Sequence, residues 1–168
     1  RNKSGTVAMH WKETEVLALP SLGGQNSRAS AINSKGDIVG YSYVQDFTPP
    51  HAFLFSDGTI SDLGVGAGIG SAATDINDSG DIAGYVEYRD AIRRAMLWSG
   101  GHMTDLGTLG GSSSRANAIN NEKVVVGSSY AEGLASLRAF VWDGGAMVDL
   151  NSVLAPHNQD GLILHEAI

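Results

Sequence analysis

A carboxylate and an imidazole held within hydrogen-bond reach can act as general acid and base, and this chain carries both groups between its apolar runs. Asp46, Asp90, Glu132 and Asp160 supply carboxylates, and His51 and His157 supply imidazoles. All fall in irregular links that also hold Tyr43, Tyr88, Arg89, Arg93, Tyr130 and Arg138. Links are polar by default, so each residue is also accounted for as a solvated surface group. Other chemistries leave fainter traces. No Gly-x-Ser-x-Gly elbow surrounds any of the many serines, and the five histidines show no His-x-x-x-His spacing. Gly-rich links such as Leu109-Gly110-Gly111 precede no helix that could bind phosphate at its N-terminus.

A calcium reading attaches to Asp75, Asn77, Asp78 and Asp81, which crowd oxygen ligands around Gly80. The segment lacks the Asp-x-Asp-x-Asp-Gly spacing and the terminal Glu of a calcium loop. Equivalent segments Asn33–Asp37 and Asn120–Lys123 have fewer acids. A tight hairpin turn built on Asn and Gly accounts for all three together, so no metal or other cofactor is expected.

These groups must be positioned by a repeat. The segments Ala8-Met9-His10-Trp11, Ala52-Phe53-Leu54-Phe55, Ala95-Met96-Leu97-Trp98 and Ala139-Phe140-Val141-Trp142 recur at steps of 44, 43 and 44 residues. Leu19, Leu63, Leu106 and Leu150 keep the same steps, and the last three follow Asp62, Asp105 and Asp149. Ile32-Asn33, Ile76-Asn77 and Ile119-Asn120 recur at 44 and 43, as do Gly40, Gly84 and Gly127. Four markers sharing one period of about 43–44 residues define a structural repeat.

Each unit reads as four short strands, here called C, D, A and B. Strand C covers Arg28–Ile32, Ala72–Ile76 and Arg115–Ile119; strand D covers Asp37–Tyr43, Asp81–Glu87 and Lys123–Ser129. Strand A is the aromatic segment. Strand B covers Thr14–Leu19, Gly58–Leu63, Gly101–Leu106 and Gly145–Leu150. The C–D and A–B connections are short and rich in Asn, Asp and Gly, so they are tight turns. The B–C and D–A links are longer. A four-stranded antiparallel meander joined to the next by a longer link is a propeller blade. The expected fold is therefore all-β, a single repeat domain over residues 1–168. It is a propeller of about four blades, or a fragment of a larger one. Three blades are complete. A fourth would combine the N-terminal A and B strands with a C-terminal strand, Leu162–Ile168, closing the ring in the manner of a velcro strap. In this arrangement C is innermost, and Arg28 and Arg115 begin equivalent inner strands near the channel mouth. The recurring Trp11, Phe55, Trp98 and Trp142 are expected between blades.

Composition narrows the partners. Gly makes up 22 of 168 residues, about twice average usage, which fits many turns. No apolar run approaches the ~18 residues of a spanning helix. Cys is absent, which excludes disulfides and thiolate metal sites. The formal charge of −7, with basic residues scattered, argues against a nucleic-acid partner. Residue 1 is Arg, so the sequence reads as a mature or trimmed chain. Further segments or an oligomer could meet its open end.

The motifs resemble the HAF-repeat family of bacterial extracellular proteins. The triplet His51-Ala52-Phe53 carries the name, and Asp105-Leu106-Gly107-Thr108-Leu109-Gly110-Gly111, Ser114-Arg115-Ala116, Ala118-Ile119-Asn120 and Val125-Val126-Gly127 carry the surrounding pattern. The likeness spans nearly the whole chain. It departs at Ala67-Gly68, where Gly-Gly is expected, and at Glu122-Lys123, which lacks the turn Gly. It implies a secreted or surface location in bacteria and a propeller-like array, with no catalytic signature to transfer.

The leading expectation is a secreted module that binds a glycan or protein on its long-link face. The candidate ligand residues are Arg28, Asp46, His51, Tyr88, Arg89, Asp90, Arg115, Glu132, His157 and Asp160. The alternatives are a polysaccharide- or ester-cleaving hydrolase or lyase using the acids and histidines at the channel mouth, and a structural segment of a larger surface protein. No catalytic motif favours the enzyme.

Overall fold

The computed structural model describes residues 5–12, 14–46, 48–154 and 163–168. The chain is all-β, with four antiparallel sheets, none of which closes on itself. The first is a hairpin, β1 (Met9–Lys12) and β2 (Glu15–Ala18). The next is the meander β3 (Ser27–Ile32), β4 (Ile38–Ser42), β5 (His51–Ser56) and β6 (Thr59–Gly64). It is followed by β7 (Gly70–Ile76), β8 (Ile82–Glu87), β9 (Arg93–Ser99) and β10 (His102–Asp105). The last is β11 (Gly110–Ile119), β12 (Val125–Ala131), β13 (Leu137–Trp142) and β14 (Val148–Asp149). In every meander neighbours in sequence are neighbours in the sheet, and the C, D, A, B order expected from the repeat is the order found.

Strand D is apolar because it is covered on both faces. Ile38 packs with Ala8, Leu19 and Phe53 between the hairpin and the first meander. Val39, its neighbour, points the other way, into a cluster with Ile76, Ile82, Val86, Met96 and Trp98 of the second meander. Ala83 joins Leu97, Leu106, Ile119, Val125 and Phe140 between the second and third. Three apolar layers thus alternate with the sheets. Phe53 and Phe140 are fully buried, and each contributes roughly 1.5–3 kcal/mol by leaving water. Of the recurring aromatics, Trp98 is buried and donates Nε1–H to the Leu63 carbonyl, and Phe55 and Trp142 pack partly buried on the layers. Trp11 departs from that expectation: it is 73% exposed, and among the described residues its hairpin has no D strand beside it.

Most strand ends shift by a residue or two from the sequence reading, and β11 begins at Gly110 rather than Arg115, inside the expected B–C link. Two further differences change the kind of element. Strand B over Gly145–Leu150 shrinks to Val148–Asp149, and a helix, α1 (Leu150–Leu154), follows. In the other copies the Asp before Leu accepts a hydrogen bond two residues on: Asp62 from Gly64 and Asp105 from Gly107, with both glycines at positive φ. Asp149 makes the same bond to Asn151, a residue less suited to that backbone, and so becomes a helix N-cap.

The second difference is the C-terminal tail. Residues 163–168 form no strand and lie along the third meander. Ala139 N–H donates to the Leu164 carbonyl, Ala167 N–H to the Gly127 carbonyl, and Asn151 grips Leu164 through both its side-chain amide groups. In the earlier copies the N–H equivalent to that of Ala139 is received by a buried serine of the next inner strand: Ala8 by Ser27, Ala52 by Ser71 and Ala95 by Ser114. The tail therefore stands where the next inner strand would stand, against the third meander.

Gly84 tests the packing. A Cβ at this position would overlap the Ala72 carbonyl oxygen across the strand pair, and Gly40 and Gly127 meet Arg28 and Arg115 in the same way. Gly84→Ala is expected to lower stability by about 3 kcal/mol in urea denaturation. Gly145→Ala, whose nearest neighbour atom is 3.9 Å away, is expected to change it by less than about 0.5 kcal/mol.

Candidate functional site

The inner strands β3, β7 and β11 share a bulge, with register shifts at Ala29/Ala31, Ala73/Asp75 and Ala116/Ala118. A bulge re-aims the extra side chain. Here Ser30, Thr74 and Asn117 all turn to one cavity of about 520 Å³, bounded by the three inner strands and the tail. Arg28 and Arg115 line it from the first and third meanders, and Ala72 holds their position in the second. Tyr41 and Tyr85 line it from equivalent places on β4 and β8. Glu166 and Ile168 of the tail complete the wall.

A second cavity of about 410 Å³ adjoins the first through Arg115 and Glu166, and adds Arg93, Ser113, Ser128 and Tyr130. The guanidinium carbons of Arg93 and Arg115 lie 4.8 and 5.3 Å from the centre of the Tyr85 ring, within cation–π range. Arg93 also pairs with Glu87 at 2.9 Å. Among the described residues, neither Arg28 nor Arg115 has an ion pair or a side-chain hydrogen bond. Glu166 accepts from Asn117 Nδ2 at 2.9 Å.

The other predicted residues are spread elsewhere. Asp46 accepts from the Gln25 backbone at 3.0 Å and secures the link between β4 and β5. His51 Nδ1 meets Asp62 Oδ2 at 2.8 Å across β5 and β6, away from both cavities. Tyr88 packs partly buried on the layer between the first two meanders. Arg89 and Asp90 sit in an exposed 3₁₀ turn, Arg89–Ala91, where Asp90 adopts φ 61°. Glu132 is exposed after β12. His157 and Asp160 lie outside the described residues. Among the described residues the two cavities hold one carboxylate, Glu166, and no histidine. The residues missed by sequence reading include Ser30, Tyr41, Thr74, Tyr85, Asn117 and Glu166. The two tyrosines are legible as a recurring Gly-Tyr step at Gly40-Tyr41 and Gly84-Tyr85.

The segment read for calcium is a hydrogen-bonded staple between meanders. Asn77 Oδ1 accepts from the N–H groups of Ser79 and Asp81, and its Nδ2 donates to Asp81 and to the Asn120 carbonyl. Asn33 does the same one meander earlier, reaching the Asn77 carbonyl at 3.1 Å. Asp78 accepts from Ser34 N–H and Asn121 Nδ2, and Asp75 accepts from Ile119 N–H. Lys123 occupies the turn position of Gly36 and Gly80 at φ 65°, and its ammonium reaches Asp81 at 3.0 Å and Ser99. The missing turn Gly thus supplies a cation to the preceding meander. Among the described residues no cluster of three or more acidic, His or Cys side chains could hold a metal.

These bonds lower carboxylate pKa values. Ser56 and then Asn33 hold Asp37 below its ordinary value against the opposing effect of burial. Burial pushes Asp81 up, but Ser99, Asn77 and Lys123 together bring it below its ordinary value. Asp78 is lowered chiefly by the hydroxyl and N–H of Ser34.

The chain matches no protein-family model, no curated protein and no solved structure.

Asn77→Ala is expected to cost about 2–4 kcal/mol, because it strands the Asp81 and Ser79 N–H groups and leaves the Asn120 carbonyl with the Lys123 N–H as its remaining donor. The depressed Asp37 and Asp81 stabilise the fold fully above the unfolded carboxylate value, about 3.9, and lose that contribution as pH falls through their lower folded values. Thermal midpoints should therefore drop between about pH 5 and pH 2, and a Asp37→Asn/Asp81→Asn double variant should show a flatter profile over that window.

Proposed function

We propose that this chain is a propeller-type array acting as a secreted or surface glycan-binding module, with its ligand at the mouth of the channel between the inner strands. The observation that carries the reading is the cavity itself. Equivalent positions of three meanders meet there, and they bring hydroxyl and amide groups (Ser30, Thr74, Asn117) beside two tyrosine rings. Sugars are recognised through hydroxyl hydrogen bonds and contact between their C–H faces and aromatic rings, and this lining offers both. A glycoside-cleaving enzyme would need two facing carboxylates, whereas Glu166 is the single carboxylate among the described residues of the cavity. The bacterial extracellular location rests on the resemblance to HAF-repeat proteins. Among the described residues no helix is long and apolar enough to cross a membrane.

A glycan array probed with the purified chain is expected to retain it on a defined group of saccharides. Tyr41→Ala and Tyr85→Ala are expected to abolish retention while leaving the thermal midpoint within a few degrees. Retention untouched by both substitutions would sink the reading.

A second reading, a structural segment of a longer surface array, is favoured by the place of the tail. Residues 163–168 stand where a next inner strand belongs, so a following D strand would find its partner ready. Appending a second copy of the Asn33–Ser42 sequence after Ile168 is expected to raise the thermal midpoint and to protect new amides from exchange. An appended segment whose amides exchange freely would count against array growth at this end.

A further inference from the structure

We infer that the ligand of this channel is an acidic saccharide, whose carboxylate or sulfate groups are held by Arg28 and Arg115. The inference rests on the glycan-binding reading and names the ligand class. The chain as a whole repels anions, with 18 acidic against 11 basic residues. Among the described residues its two joined cavities reverse that balance: Arg28, Arg93 and Arg115 face one side-chain carboxylate, Glu166. Glu87 neutralises Arg93. Arg28 and Arg115 have no such partner among the described residues, and Glu166 is engaged by Asn117.

A guanidinium offers a planar fork of donors that matches a carboxylate or a sulfate two atoms at a time. Arg115 is also held in place by the Tyr85 ring, whose centre lies 5.3 Å from its guanidinium carbon. The repeat places these cations with purpose. The position is Arg in the first and third meanders and Ala in the second, so the charges stand on either side of a small residue. Ala72 is paired directly with Tyr85, and Arg28 with Tyr41. A sugar ring against a tyrosine would have cationic groups within reach of its acidic substituents and the bulge residues Ser30, Thr74 and Asn117 within reach of its hydroxyls. The combined cavity is in the range of volumes that enclose a small ligand.

The test is calorimetric titration of the chain with three probes: trigalacturonate, its methyl ester, and a sulfated oligosaccharide of similar length. At least one acidic probe is expected to bind, at least ~10-fold more tightly than the neutral ester, and more weakly as ionic strength rises. The carboxylate and sulfate arms identify which acid is preferred. Arg28→Ala and Arg115→Ala should each weaken acidic-probe binding by ~10-fold or more, and Arg115→Lys by less, with unchanged circular dichroism. Ester and acids binding equally, with loss in Tyr85→Ala but not in the arginine variants, would overturn the charge inference and leave the glycan site standing. Absence of binding by all three probes, together with no retention on a glycan array, would overturn both.

Discussion

Each meander ends at its inner strand, and the exposed edge of that strand must find hydrogen-bond partners. A strand paired on one side only presents unpaired N–H and C=O groups. In this protein the neighbouring inner strand supplies side chains to meet them. Thr74 donates to the Ala116 carbonyl, Asp75 accepts from Ile119 N–H, and Asn33 and Asn77 donate to the carbonyls of Asn77 and Asn120. Buried serines do the same at the other end, where Ser71 accepts from Ala52 N–H and donates to the Gly64 carbonyl, and Ser114 accepts from Ala95 N–H and donates to the Gly107 carbonyl. These bonds join sheets without backbone pairing. They explain why the inner strand carries Ser, Thr, Asn and Asp at buried or half-buried places while strand D beside it is apolar.

The bulge follows from the same demand. A regular strand would alternate its side chains strictly, one face to each neighbouring sheet. The extra residue at Ser30, Thr74 or Asn117 breaks that alternation and frees one side chain per meander to turn inward. Thr74 uses its hydroxyl on both Ala83 and Ala116 carbonyls, and Asn117 uses its amide on Glu166 and the Ala167 carbonyl. The glycines at 40, 84 and 127 stand opposite, where the bulged strand presses its carbonyl too close for any Cβ. Edge satisfaction, bulge and glycine form one device repeated three times, and the cavity is the space it leaves.

Strand order and period were legible in the sequence because they are carried by recurring residues. Ser27, Ser71 and Ser114 also recur, at 44 and 43, as do Asp62, Asp105 and Asp149, at 43 and 44. Their roles were not legible, because a serine that stitches sheets and one in a loop look alike until the opposite strand is known. That Arg28 and Arg115 occupy equivalent places at the start of their strands was legible from the repeat alone, and both line the larger cavity. Asn117 and Glu166 could not, since one depends on a bulge and the other on a tail lying against the third meander. The failures have local causes. Asn151 replaces a glycine and turns strand into helix, and among the described residues the hairpin β1–β2 has no D strand to cover Trp11. Link residues such as Arg89, Asp90 and Glu132 are polar and exposed, and polarity alone does not make chain segments converge.

Where function can arise in such a molecule follows from its near-symmetry. A position identical in every copy is accounted for by packing or by the stitches between sheets, as Gly84 and Asn77 are. A position that differs between copies is free of that duty, and on the inner strands differing positions face one another across a single cavity. Arginine, alanine and arginine at 28, 72 and 115, and tyrosine, tyrosine and serine at 41, 85 and 128, break the repeat side by side. The breaks are correlated: Arg115, opposite the serine of its own meander, reaches the tyrosine of the preceding one, where alanine leaves room. Scattered drift on a solvated surface does not require such matching across meanders. The proposed binding role rests on that asymmetry: cations, rings and hydroxyls line one cavity inside an otherwise anionic repeat.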